Sequence, residues 1–349
     1  MIRKIKIPFM HFFSLLLMLA FFPASVLAEE TLRVLAWPGY ADPDLVQAFE
    51  QRYKVRVEVT LVGSDDAMWE RLLTRQGGDF DVFAVNTAEL QRYIDSGISI
   101  PLAPANIPNT AKQLPRFRDL SAIPGITRKG AVYAIPYTYS EMGLIYDRKA
   151  FKTPPDSFAS MWDKRFKGRV LAHQGSTHNF SLAAMVLGLK SPFHIAGTDF
   201  RRVSRHLVEL RRNVLAFYGQ PEEATELFMQ NRIVLLFANY GSQQVRMLQK
   251  AGADIGYVIP REGALAWLDC WSLTRGVKNR KLAEAWIDYT LEVPVSRALT
   301  ERQGLSNTLE DPPAVHNADK IIWLQQVEDV ARRASLWDKI NSGDMPERF

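Results

Sequence analysis

The sequence predicts an α/β protein of two lobes, each a mainly parallel sheet flanked by helices. Three observations lead there: short β-type runs alternate with helical patterns, the chain of 349 residues exceeds one ordinary domain, and no charged linker or low-complexity tract separates independent units. The two lobes are therefore expected to be interwoven.

The N-terminus is set apart from that pattern. Arg3, Lys4 and Lys6 precede an apolar run from Phe12 to Phe22, and Val26-Leu27-Ala28 stands just before Glu29 and Glu30. This reads as a Sec-type signal peptide over residues 1–28, cut after Ala28, because the apolar run falls short of the roughly twenty residues that cross a bilayer. An uncleaved anchor is the alternative. With no cysteine near the junction, a lipid-anchored form is not expected and release into a periplasm is.

Without residues 1–28 and their three basic side chains, 43 basic residues become 40 against 38 acidic ones, and the formal net charge drops from +5 to +2. So balanced a surface gives no basis for nucleic acid or anionic membrane as partner, and a monomer is expected. Cys270 is the single cysteine, so it makes no internal disulfide and reads as a small buried apolar residue.

The elements follow in order. Strand patterns fall at Thr31 to Ala36, Val55 to Leu61, Phe80 to Val85, Val170 to Ala172, Val214 to Tyr218, Ile233 to Ala238 and Asp254 to Ile259. Asp42-Pro43 opens a helix as N-cap and N1, with Leu45, Val46 and Phe49 inward, and Ser64-Asp65-Asp66 opens another through Trp69 and Leu72. The segment from Asp319 to Ile340 carries a long helical pattern with Ile322, Val327, Val330 and Leu336 available for burial. Trp69, Trp162, Trp286 and Trp323 are spaced as core residues of helix faces.

In open α/β sheets, ligands sit beyond the C-terminal ends of strands. Three loops occupy such places: Trp37 to Tyr40, His173 to His178, and Asn239-Tyr240-Gly241-Ser242. In Trp267-Leu268-Asp269-Cys270-Trp271 an extended backbone puts Trp267, Asp269 and Trp271 on one face. A carboxylate between two indoles suits an ammonium, which gains a charge-assisted hydrogen bond and the attraction of the ring faces. The same pattern also fits a Trp-rich core strand with a structural Asp.

These residues bear a family resemblance. Leu35-Ala36-Trp37-Pro38-Gly39-Tyr40, Ser64 to Met68, Gly78 to Phe83, Ile135-Pro136-Tyr137, Trp267-Leu268-Asp269 and Gln303-Gly304-Leu305-Ser306, in this order and spacing, resemble the spermidine/putrescine-binding proteins of bacterial ABC importers, among the type II extracellular solute-binding proteins. The resemblance implies the type II periplasmic-binding-protein fold, with two or three strands crossing between lobes. Lobe one would comprise 29–137 and 266–310, and lobe two 138–265 and 311–349. By matching position, Trp37 and Tyr40 look like an aromatic wall of lobe one, Trp267 like the ring that stacks on a methylene chain, and Asp269 like the acid that holds an ammonium.

The departures concern the far end of the ligand. Gly175-Ser176-Thr177-His178 stands where the family's second acidic site would be, Asn239-Tyr240 where a tryptophan is expected, and Leu305 in place of a tyrosine. Ser176, Thr177, His178 and Asn179 read instead as a helix N-terminus, which favours an anion and implies a zwitterion such as an ω-amino acid or aminophosphonate, although a simply capped helix fits too. Glu141, beside Tyr139, is a candidate second acid if it faces the cleft.

No enzyme is expected, because no G-x-S-x-G, H-E-x-x-H, Walker loop or Rossmann fingerprint occurs. His173 and His178 lack a third ligand at metal spacing, and no Tyr-Tyr pair of the kind that binds ferric ion in other members of the fold is present. The expected function is a periplasmic receptor that passes an amine-bearing ligand to an ABC permease of the inner membrane. The alternative is a sensory protein of the same fold that signals to a membrane receptor.

Overall fold

The computed structural model describes residues 30–63, 65–310 and 320–343. The leader expected over residues 1–28, Ser64 and Asp319 lie outside the described residues. Strands form at Thr31–Ala36, Arg56–Leu61, Val82–Asn86, Val170–His173, Val214–Tyr218, Leu235–Phe237 and Ile255–Val258, within two residues of where the pattern puts them.

Two sheets result. In the first, strands run in the order Ser306–Asn307, Ala134–Met142, Ala264–Thr274, Val82–Asn86, Thr31–Ala36, Arg56–Leu61. Its outer part is parallel, as βαβ units require. Ala264–Thr274 is antiparallel to both neighbours, because it returns from the second lobe and enters the sheet from the opposite end. The second sheet runs Val214–Tyr218, Val170–His173, Leu235–Phe237, Leu144–Asp147, Ile255–Val258, parallel through the first three and antiparallel at each side of Leu144–Asp147.

Alternation along the strands fills both faces of each sheet. Val34 and Ala36 join Phe49, Trp271 and Trp286 on one face of the first, while Leu35 joins Phe83, Tyr93 and Phe117 on the other. In the second, Val170 packs with Phe180, Leu207 and Trp337, and Leu171 with Tyr218 and Leu248.

Ala134–Met142 passes through Gly143 into Leu144–Asp147, and Ala264–Thr274 lies beside it, so these two strands join the lobes. Ile321–Trp323 pairs in parallel with Ala264 to Ala266 as a third crossing. This corrects the single helix expected over 319–340: helix begins only at Val330, runs to Asn341, and takes its cap from the Asp329 side chain. Gly143 has a steric reason. The Tyr257 hydroxyl bridges the Glu141 carbonyl (2.8 Å) and the Gly143 N–H (3.1 Å), and a Cβ on Gly143 would lie 2.6 Å from that ring.

The lobes also meet at the rim. Ser242 donates to the Gly304 carbonyl at 2.6 Å and Arg246 to the Thr300 carbonyl at 2.9 Å. Gly304 sits at φ +77 as C-cap of helix Val293–Gln303, and a Cβ there would come within 3.0 Å of Gln243.

Candidate functional site

Thr31–Ala36 ends in a turn that the Tyr40 N–H closes on the Trp37 carbonyl at 3.2 Å, with Gly39 at φ +85 against the Gln303 side chain. The turn folds Tyr40 inward, edge-on to Tyr137 at 5.4 Å and to Trp271 at 6.3 Å. There its hydroxyl donates to Asp269 Oδ2 at 2.7 Å. Trp37 is half-buried at the same sheet end, packed against the apolar clusters of both faces.

Asp269 is 8% exposed. Burial pushes its carboxyl up to about 7, the Tyr40 hydrogen bond offsets only part of that, and no basic side chain contributes. A buried acid without a cation is what an incoming ammonium relieves, since the ion pair restores the charged form that desolvation disfavours. Trp267 stands two residues before it on the same face, half-buried, its indole N–H donating to the Asn239 carbonyl at 3.3 Å.

Trp271 is set apart from these two. Opposite the step from Asp269 to Cys270, the partner strand steps from Thr138 to Pro136 and leaves Tyr137 as a bulge. Beyond the bulge Trp271 is fully buried, edge-on to Trp286 at 6.1 Å, and presents no surface to a ligand. Its place is behind Tyr40.

The opposing wall comes from the second lobe. Strand Val170–His173 leads through Gly175 into helix Ser176–Val186, whose first residues Ser176, Thr177 and His178 are half-buried. His178 Nδ1 lies 2.8 Å from Asn239 Oδ1, so Trp267, Asn239 and His178 form one polar chain across the lobes. The His173 ring is 5.8 Å from both His178 and Tyr240, and the Tyr240 hydroxyl donates to the Gly219 carbonyl at 2.8 Å. Burial, reinforced by His178, lowers His173 to about 3, and burial lowers His178, so both imidazoles are neutral at pH 7.

Beneath this turn Arg333, fully buried, grips Glu328 with two bonds of 2.9 and 2.7 Å and donates to the Thr177 carbonyl at 3.1 Å. Its charge is matched by Glu328, and Cys270 is buried as expected.

Glu141 does not join the cleft. Ser140, paired with Trp267, points toward the Tyr240 carbonyl (3.4 Å), and the pleat turns its neighbours Tyr139 and Glu141 to the opposite face. Tyr139 packs there with Phe117 and Trp323, and Glu141 is wholly buried with neither carboxyl oxygen hydrogen-bonded among the described residues. Burial raises it to about 7.

Sequence reasoning passed over Ser140 and Asn86. Asn86 lies opposite Asp269 in the ladder and caps helix Thr87–Asp95 by accepting from the Glu89 N–H at 2.9 Å. Asn86 followed three residues later by Glu89 was the available signal. A cavity of about 650 Å³ also lies between helix Thr87–Asp95 and the segment Gln325–Glu328, and Asp269 does not line it.

Comparison with known proteins bears on the family and the fold. A family model described as bacterial extracellular solute-binding protein matches residues 44–321. The spermidine/putrescine-binding periplasmic protein 1 of Haemophilus influenzae is 23% identical over 323 residues, covering 88% of this chain and 87% of that protein. The putrescine/agmatine-binding protein of Pseudomonas aeruginosa is 24% identical, covering 90% and 93%. Among solved structures, the spermidine/putrescine ABC transporter substrate-binding protein PotD of Streptococcus pneumoniae superposes with a TM-score of 0.74 at 21% identity, over 90% of this chain and 99% of that one.

Proposed function

This chain belongs to the bacterial extracellular solute-binding proteins, and from that premise we propose that it is a periplasmic receptor that delivers a small amine-bearing solute to an ABC permease. The relatives named for spermidine, putrescine and agmatine support an amine as the recognised group. A family of binding proteins also gives no reason to expect catalysis.

The observation that carries the reading is Asp269, a buried acid held by Tyr40 with no basic partner among the described residues. The ammonium sits on Asp269 Oδ1 and Oδ2, the adjoining methylenes lie against Trp37, Tyr40 and Trp267, and Trp271 supports Tyr40 from behind. The other end of the ligand meets Ser176, Thr177, His178, Asn239 and Tyr240, none of them acidic; two imidazoles there are neutral, and Glu222 and Glu223 act on the Tyr240 hydroxyl only through space. A second ammonium would find no carboxylate among these five residues. A carboxylate or phosphonate would find hydroxyls and the first N–H groups of helix Ser176–Val186. The preferred ligand is therefore a zwitterion with its amine and anion at opposite ends.

A thermal-shift panel of putrescine, spermidine, cadaverine, 4-aminobutyrate, 5-aminovalerate and aminoethylphosphonate tests this. The amino acids or the aminophosphonate should raise the melting temperature most. Stabilisation by diamines alone rules out the zwitterion and keeps the receptor; stabilisation by no amine at all counts against the amine site.

A further inference from the structure

On the outer side of the second lobe, a cavity of about 370 Å³ opens where helix Phe200–Asn213 begins. Arg201 and Arg332 line it from two different helices, and the Arg332 guanidinium lies over the Phe200 ring, 3.9 Å from its centroid. Thr198 and Gly197 form the lip just before the helix. The first N–H groups of an α-helix have no partner in their own turn, and here the N-cap Asp199 makes no side-chain cap and the first turn holds no acid.

An independent observation points into the same space. Ser204 lines the cavity, is wholly buried, and its hydroxyl has no hydrogen-bond partner among the described residues. A serine in mid-helix ordinarily bonds back to the carbonyl four residues earlier or faces water, and this one does neither. Asp329, the acid before Arg332, spends a carboxylate oxygen on the Arg332 N–H at 2.8 Å.

We infer that this cavity binds a phosphate-type oxyanion. Two guanidinium groups, the first helix N–H groups, Thr198 and the unmatched Ser204 hydroxyl can all donate, which suits a tetrahedral dianion, and Asp199, the acid at the helix start, does not line the cavity. Phe200 and Leu336 form an apolar wall able to take the organic part of a phosphomonoester. The site lies apart from Asp269 and its neighbours, so it stands or falls independently of the amine cleft.

The test is calorimetric titration of the full mature chain with inorganic phosphate and, separately, glycerol phosphate, at constant ionic strength set with chloride. Saturable binding is expected, weakened about tenfold by Ser204→Ala and by Arg332→Gln, since each removes a donor to a charged group. Tighter glycerol phosphate identifies a phosphomonoester; equal affinity identifies free phosphate. Absence of saturable binding, or variants that fold by circular dichroism and bind phosphate like the parent, overturns the assignment.

Discussion

Asp269 and Trp271 share one strand face but differ in depth, and substitutions separate the roles proposed for them. Removing the carboxylate leaves a desolvated ammonium without its partner, so Asp269→Asn should weaken amine binding by about 3–5 kcal/mol, or roughly two to four orders of magnitude, in a calorimetric titration. Trp271→Leu should cost stability instead, about 2–4 kcal/mol in urea unfolding, while the ammonium contact persists. An unchanged amine affinity in Asp269→Asn would remove the central residue of the account. The two roles could not be told apart from the sequence, because alternation gives a face and not a depth. The bulge at Tyr137 and the cover provided by Trp286 set the depth.

Protonation at Asp269 and Glu141 has a definite sign. Both carboxyls stand near 7 in the folded chain, above their ordinary values of 3.8 and 4.5. The folded state therefore holds more protons than the unfolded one between those values, and stability should fall as pH rises from about 4 to about 7, then level off. Glu141→Gln should flatten part of that decline in melting curves taken from pH 5 to pH 8. A decline of equal steepness would show that Glu141 is not the buried acid described. Amine affinity should run the other way, rising with pH toward 7 as Asp269 ionises.

At the scale of elements, the strands and the helices opening at Pro43, Asp65 and Ser176 were legible because side-chain periodicity acts locally, although Asp42 makes no side-chain cap and gives its carboxylate to Arg302 instead. The segment after Asp319 was misread for the opposite reason. Ile321, Ile322 and Trp323 are apolar in a row compatible with a helix, but the free edge of Ala264 to Ala266 takes them as a strand. Helix Val330–Asn341 that follows is pinned by Arg333, which ties Glu328, Ser181 and the Thr177 carbonyl together. Arg333→Met should destabilise the chain by about 3–5 kcal/mol, because Glu328 would lose its partner in a poorly solvated place. Denaturant titration reads this directly, and a neutral outcome would mean that the pair does not hold the helix.

The whole molecule is a clamp whose lobes touch through the chain Trp267, Asn239 and His178 and again where Ser242 meets Gly304. The two-lobed architecture was legible from the βαβ alternation and the family's spaced motifs, since both are properties of the chain in sequence order. Which side chains meet across the cleft was not, because Trp267 on the returning strand reaches Asn239 of the second lobe, 28 residues earlier in the chain, only after the lobes are assembled. That assembled surface is asymmetric, with one buried acid at one end and neutral imidazoles and a helix N-terminus at the other.

Two ligands of the same chain length decide between an asymmetric clamp and a diamine clamp. Putrescine and 4-aminobutyrate share one ammonium and a four-carbon chain, and the far end is an aminomethyl group in the first and a carboxylate in the second. Titrated side by side at pH 7.5 in a calorimeter, 4-aminobutyrate should bind at least about tenfold tighter, corresponding to about 1.4 kcal/mol. Putrescine binding equally or more tightly would contradict the asymmetry on which the account rests.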